Sequence, residues 1–391
     1  MGAQDKRLVY TGGYTIPTLM GSGETVPPAC PGIICFEWDA QHGTLQQKNI
    51  FREAVNPSWV EADPEGKYLY SVSELKDFAW ENPNSKEAPS GMAGGSFVSA
   101  WRIGPEGDLT YLGSQATGGS DACHLLVSPN GKYLVCSNFS GGSVSLFPIR
   151  EDHSLAPMSF LIRHTGHGTD PARQRSAHAH QAILAPDGKH LYISDLGLDR
   201  LVCYEADWEN GILKKPETGD SSWQDIACLP GQGGRHAVFD SRGAYLYQMA
   251  EITCEVNVYR YDKENGCAER IQTLPALKEG TSPEGTLGAA IHIHDNGKWL
   301  YVSVRGTNSE HDLLVFFSIE ADGRLVKRQT VWAGGKIPRD FSISPDGKYL
   351  LCGTADSSRI TVFAIDAQEG TLSEHWKTDE AGGVTRIAFL G

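Results

Sequence analysis

CHLLVSPNGKYLVCSNFSGGSVSLFPI (123–149) is the stretch that decides the fold. SPNG is turn chemistry, and the KYLV that follows it alternates aromatic and aliphatic residues. A short apolar strand, HLLVS, leads into the turn, and GSVSLFPI follows as a third strand. Period-two alternation buries one face of each strand, and a Pro/Asn/Gly turn joins neighbours as a hairpin.

The turn and its second strand recur as DPEGKYLY (63–70), APDGKHLY (185–192), DSRGAYLY (240–247), HDNGKWLY (294–301) and SPDGKYLL (344–351). Ahead of these turns lie SWVEA, QAILA, HAVFD, AIHIH and FSISP, and RLVCYEAD (200–207) or RITVFAID (359–366) are further third strands. A turn of the form xxGxL then opens a fourth strand, as in PEGDL, EDHSL, ADGRL and QEGTL. Four strands in a period of about 50–65 residues make a propeller blade. Glycines 66, 131, 188, 243, 297 and 347 mark six such blades. The two ends supply a seventh: GGVTRIAFLG (382–391) reads as an innermost strand and KRLVYTGGYT (6–15) as the strand after a turn, so their pairing would close the ring and remove the open edges. The expectation is all-β: a seven-bladed β-propeller of four-stranded blades, with residues 1–391 as a single domain. A β-solenoid or two packed sandwiches fit the period less well.

A formal net charge of −14 disfavours nucleic acid and anionic membranes as partners, though arginines inside a cleft can still receive a small anion. The N-terminal MGAQDKRLVY has no apolar run of the signal-peptide kind, and no stretch is long enough to span a membrane. Nine cysteines, an odd number without regular spacing, do not form a disulfide pattern, which points to the cytoplasm and reduced thiols.

The repeat also serves as a coordinate system. Eight residues before each turn glycine the innermost strand begins, and eight after it the second strand ends, so both positions should ring one mouth of the central channel. At −8 stand Ser58, Cys123, His180, Arg235, Ala289 and Arg339; at +8 stand Glu74, Phe139, Leu196, Glu251, Arg305 and Ala355. Histidine, arginine and glutamate at matched positions have no packing role in a blade, so they mark a candidate site; the plainer alternative is an ion-pair ring that ties blades together. The polar run GHGTDPARQRSAHAHQ (166–181) leads into His180, and a Pro/Gly-rich insertion (76–95) follows Glu74 as a candidate rim loop.

Arg235 and Arg305 suit a carboxylate, a phosphate or a developing oxyanion, and His180 or Glu251 suits proton transfer. Zinc is the rival reading, because His178 and His180 share one strand in HAHQ and His124 and His236 lie nearby. Those two sit at −7, however, with the parity opposite to His180, so convergence would need a bulge, and arginines repel a dication. No metal is therefore expected. Cys123 is read as packing, no G-x-S-x-G elbow is present, and GGYT (12–15) and GSGE (21–24) are only loop glycines, so no cofactor is expected either.

The segments VYTGGYT, NPSWVEADPEGKYLYSVSE, HAHQAILAPDGKHLYISDLGLDRLVCY, GGRHAVFDSRGAYLY and IPRDFSISPDGKYLL resemble the lactonase family of propellers over nearly the whole chain. That family includes bacterial propeller-type 6-phosphogluconolactonases and fungal 3-carboxy-cis,cis-muconate lactonizing enzymes. The resemblance implies a metal-independent seven-bladed propeller whose active-site His, two Arg and Glu are His180 in HAHQ, Arg235 in GGRH, Arg305 in SVRG and Glu251 in MAEI. Glu74, His124, His178, His236 and Arg339 would help bind substrate. The chain departs from the phosphogluconolactonase-like pattern where it has Ala250 before Glu251 and Val304 before Arg305, positions usually occupied by Asn. The expected activity is hydrolysis of a sugar lactone, 6-phosphogluconolactone first. A cycloisomerase or lyase on a carboxymuconate-like polycarboxylate, or a non-catalytic binding propeller, are the alternatives.

Overall fold

The computed structural model describes residues 6–20, 23, 25–76, 95–216, 223–306, 312–378 and 381–390. Six sheets follow the turn glycines in order, each a meander with its first strand innermost. The seventh is built from both ends of the chain: Arg386–Phe389 is innermost, then Lys6–Gly12, Ile33–Asp39 and Thr44–Phe51. Val9 pairs with Phe389 and Gly12 with Arg386, so the ring closes as the two termini implied. Counting this sheet as blade 1, the innermost strands of blades 2 to 7 are Val60–Ala62, Ala122–Val127, Ala179–Leu184, Gly234–Phe239, Thr286–Ile293 and Asp340–Ile343. The insertion at 76–95 lies, apart from its first and last residues, outside the described residues.

The hairpin turn is specified locally. All six turn glycines adopt φ between 66° and 70°, the left-handed region that a side chain makes costly. Where the residue three places earlier is polar it caps the turn: Asp63 Oδ1 accepts from the amides of Lys67 and Tyr68 at 2.7 and 2.6 Å, and Ser128 Oγ accepts from the Tyr133 amide at 2.9 Å.

The same motif stitches blades together. A tyrosine of the second strand donates to the glycine carbonyl in the next blade's xxGxL turn: Tyr10 to Gly107 at 3.0 Å, Tyr247 to Gly323 at 2.9 Å and Tyr301 to Gly370 at 2.7 Å. Tyr70 breaks the pattern. In its neighbour's outer turn, EDHSL, His153 stands where the other turns have glycine, and the buried Tyr70 hydroxyl has no partner among the described residues.

One expectation about the innermost strands is corrected. Simple alternation put −8 and −7 on opposite faces, but register shifts fall at this place in four blades, between Ala122 and His124, Ala179 and Gln181, Gly234 and His236, and Gly288 and Ile291. Cys123, His180 and Arg235 are thus the extra residues of β-bulges, which bend the strand and re-aim side chains. Consequently His124 and His236 join His180, with ring centroids 6.0 Å (His124–His236) and 5.0 Å (His180–His236) apart.

Candidate active site

The channel carries three layers along its axis. At the mouth away from the hairpin turns, Glu251 ends the second strand of blade 5 and is held by three guanidiniums. Arg305, from the end of the second strand of blade 6, and Arg235, the bulge residue of blade 5, both lie 3.1 Å from Glu251 Oε2; Arg173, from the loop before blade 4, pairs with Oε1. Burial alone would push the Glu251 carboxyl up, but Arg173, Arg305 and Arg235 together overcome it and hold it well below the usual carboxylate range. Burial and the neighbouring Arg339 and Arg305 lower Arg235 to about 9, which leaves it a cation at neutral pH.

Donors remain to spare. Arg235 Nε meets Glu251 without hydrogen-bond alignment, and Arg235 Nε, Arg235 Nη1 and Arg305 Nε are buried with no hydrogen-bond acceptor among the described residues. Arg339, just ahead of the blade 7 strand, contacts the Tyr14 ring (5.6 Å) and Met20 Sδ (3.9 Å) and has no carboxylate partner among the described residues. Tyr14 in turn donates to Glu74 at 3.1 Å. Beside Glu74, burial together with that residue's charge raises Asp121 to about 6 despite a hydrogen bond from Ser140.

Below the mouth lies an aromatic layer. Trp59 packs 4.2 Å from His124 and 5.8 Å from His236, and His180 stands over His236. Burial, reinforced by Arg235, depresses His180 and His236 well below 6.5, and burial with Arg386 lowers His124 to about 3, so these rings are neutral. Their Nδ1 (His124 and His180) and Nε2 (His236) atoms are buried without partners among the described residues. The histidines converge through bulges, as a zinc site would need. Yet among the described residues no group of three His, Cys, Asp or Glu is arranged to hold a metal.

Nearer the hairpin turns a third layer forms a separate ion-pair ring. Arg386 joins Asp340 at 2.8 Å and Glu61 at 3.3 Å, while its Nε donates to the Val60 carbonyl at 3.4 Å. His292 meets Asp340 at 2.9 Å. Here every nitrogen of the arginine has an acceptor; at the opposite mouth they do not.

The offsets therefore bring His180, Arg235, Glu251, Arg305, Arg339 and Glu74 to one mouth, and place His124 and His236 one layer deeper. His178 is not beside His180: it stacks on Phe139 at 4.6 Å and its Nδ1 faces the Phe139 carbonyl at 3.1 Å, with Phe139 also edge-on to His180 at 5.6 Å. Cys123 directs its thiol to the His180 carbonyl at 3.3 Å, and burial pushes its pKa well up, so it is no nucleophile. All nine cysteines are free thiols. Arg173 and Tyr14 escaped the offset scheme because neither lies on a repeated strand position. Their signals were present in GHGTDPARQRSAHAHQ and in GGYT, where a Cβ at Gly12 would fall 1.9 Å from the Pro57 carbonyl oxygen and one at Gly13 1.8 Å from that of Gly383. Both glycines let the chain pass close to its neighbours and deliver Tyr14.

Seven four-stranded blades closed into a ring by the two chain ends, with charged side chains gathered at one axial mouth, define the class: a seven-bladed β-propeller. The chain belongs to the family described as "Lactonase, 7-bladed beta-propeller", which matches residues 9–389. It is 29% identical over 370 residues to a Bacillus subtilis protein named 6-phosphogluconolactonase, covering 94% of each chain, and 28% identical over 347 residues to one of the same name from Formosa agariphila, covering 88% and 91%. Among solved structures, a Bacteroides fragilis protein superposes with a TM-score of 0.84 at 29% identity over 100% and 99% of the two chains. A Pseudomonas aeruginosa periplasmic gluconolactonase superposes at 0.82 with 25% identity over 99% of each. Among the described residues no helix is long and apolar enough to cross a membrane.

Proposed function

We propose that this chain hydrolyses a sugar lactone, with 6-phosphogluconolactone the first candidate, as one propeller domain over residues 1–391. The observation that carries the reading is the contrast between the two charged layers. Arg386 in the lower ring is fully satisfied, whereas Arg235 and Arg305 keep buried donors without acceptors beside a neutral histidine. Unmet guanidinium donors in a desolvated pocket suit an oxyanion that forms only during reaction.

In this reading the lactone carbonyl oxygen faces Arg235 and Arg305. Neutral His180 takes a proton from water as its oxygen adds to the carbonyl carbon, giving a tetrahedral oxyanion held by the two arginines. Collapse breaks the bond to the ring oxygen, which leaves with the proton carried by His180, and the acid product is released. Glu251 serves as an anchor rather than as the base: its two oxygens hold three guanidiniums and its carboxyl is held far down. Arg339 and Glu74, bridged through Tyr14, line the other side of the mouth for recognition.

The test is lactone hydrolysis followed above the spontaneous rate, since these lactones also open unaided. An absence of excess rate in the wild-type protein would sink this substrate. Conversion of a carboxymuconate lactone instead would favour the cycloisomerase reading, which uses the same residues but which the names of the relatives do not favour. The free thiols favour a cytoplasmic setting.

A further inference from the structure

We infer that Arg173 reads a terminal phosphate on the sugar lactone and so sets this chain's preference for phosphorylated over unphosphorylated substrates. The inference rests on the lactonase reading above and deepens it, for the relatives include proteins named for each kind of lactone.

Glu251 divides the mouth into an inner and an outer half. Its Oε2 holds Arg235 and Arg305, while its Oε1 holds Arg173 alone. The side chain of Arg173 is 13% exposed, against 3% for Arg235 and 6% for Arg305, so Arg173 is the guanidinium nearest solvent. A lactone with its carbonyl at the inner pair extends its far end outward past Glu251, toward Arg173. A guanidinium fork matches phosphate oxygens as well as it matches a carboxylate, so the phosphate can share or replace Glu251 as its partner. Arg173, the most exposed of the three, is the guanidinium that an incoming phosphate meets first. Arg339, with no ion pair to a carboxylate among the described residues, adds a further cation to the same mouth.

The backbone that presents Arg173 is fixed without help from its side chain. Gly168 donates to the Gln174 carbonyl at 3.0 Å, the amides of Thr169 and Asp170 donate to Gln174 Oε1 at 3.0 and 2.9 Å, and Gln174 Nε2 anchors the knot to the Leu196 carbonyl at 2.8 Å. The Arg173 amide itself is held by Asp170 Oδ1 at 2.8 Å. Substitution of the side chain should therefore leave the loop in place.

The experiment compares kcat/KM for 6-phosphogluconolactone and for gluconolactone in the wild type, Arg173→Ala, Arg173→Gln and Arg173→Lys, with circular dichroism and melting curves to show that each variant folds. The ratio of the two efficiencies is expected to fall about 10- to 100-fold in the Ala and Gln variants, chiefly through KM for the phosphorylated substrate, with partial recovery in the Lys variant. A ratio that stays within about twofold of wild type would overturn the inference while leaving the lactonase reading intact. If the wild type hydrolyses neither lactone, that reading fails by itself. Calorimetric titration with 6-phosphogluconate and with gluconate then decides the role of Arg173: a phosphate-dependent affinity lost in Arg173→Ala supports it, and equal affinities in wild type and variant overturn it.

Discussion

His180 and Arg235 occupy the same place in neighbouring blades, each the unpaired residue of a bulge in its innermost strand. A regular strand could turn only one of two successive residues toward the channel. The bulge lets His180 face the mouth while, one blade on, Arg235 faces it and His236 fills the layer beneath. Bulges persist where a side chain must be re-aimed, so the irregularity and the chemistry are the same feature.

The inner guanidiniums should dominate the rate. Arg305→Ala removes a donor aimed at the proposed oxyanion, and kcat for lactone hydrolysis should fall about 100- to 1,000-fold with the fold preserved. Loss confined to KM would mean that Arg305 binds substrate and transition state alike, and would count against the oxyanion role.

The blade repeat, its closure and the mouth were legible because each rests on local chemistry repeated at fixed spacing: a turn glycine such as Gly66 or Gly243 marks the same bend every time. The bulges were not legible. Cys123, His180 and Arg235 share no residue type, and an extra residue in one strand leaves the neighbouring period unchanged, so alternation misassigned His124 and His236. Arg173 and Tyr14 reach the site from non-repeating segments, where the coordinate system has no reading to offer.

Glu251→Gln should harm stability as well as activity. The carboxylate neutralises three guanidiniums in a desolvated pocket, and removing one partner of a buried charge network costs about 3–5 kcal/mol. Added phosphate should then raise the melting temperature of the variant more than that of the wild type, since an external anion replaces the lost one. Equal shifts in the two proteins would show that the mouth does not take up anions in place of Glu251.

The tyrosine stitches give a paired comparison far from that chemistry. Tyr247→Phe deletes the hydrogen bond to the Gly323 carbonyl, and should cost about 1 kcal/mol in denaturant unfolding. Tyr70→Phe removes a buried hydroxyl that has no partner among the described residues, and should be neutral or stabilising. Equal losses in both would mean that packing of the ring, and not the hydroxyl, joins the blades.

The buried histidines couple stability to pH in a window of their own. In the folded protein His180 and His236 are held well below 6.5 and His124 at about 3, so they stay neutral, while in the unfolded chain each binds a proton below about 6.5. As pH falls through 6.5 the unfolded state takes up protons that the folded state refuses, and stability drops by up to about 1.4 kcal/mol per pH unit for each histidine. Asp121, raised to about 6, and Glu61 and Asp312, also raised by burial, take up protons in the folded state first and oppose this, while His178, lowered by burial, adds to it. Glu251, depressed in the folded state, adds its own loss only below its ordinary value of 4.5. Between pH 6.5 and 5 the destabilising part of the slope therefore belongs to the histidines. His124→Phe, which keeps a ring against Trp59, should flatten it by one histidine's share in urea unfolding at pH 7, 6 and 5. The same slope in variant and wild type would mean that His124 is already protonated in the folded channel.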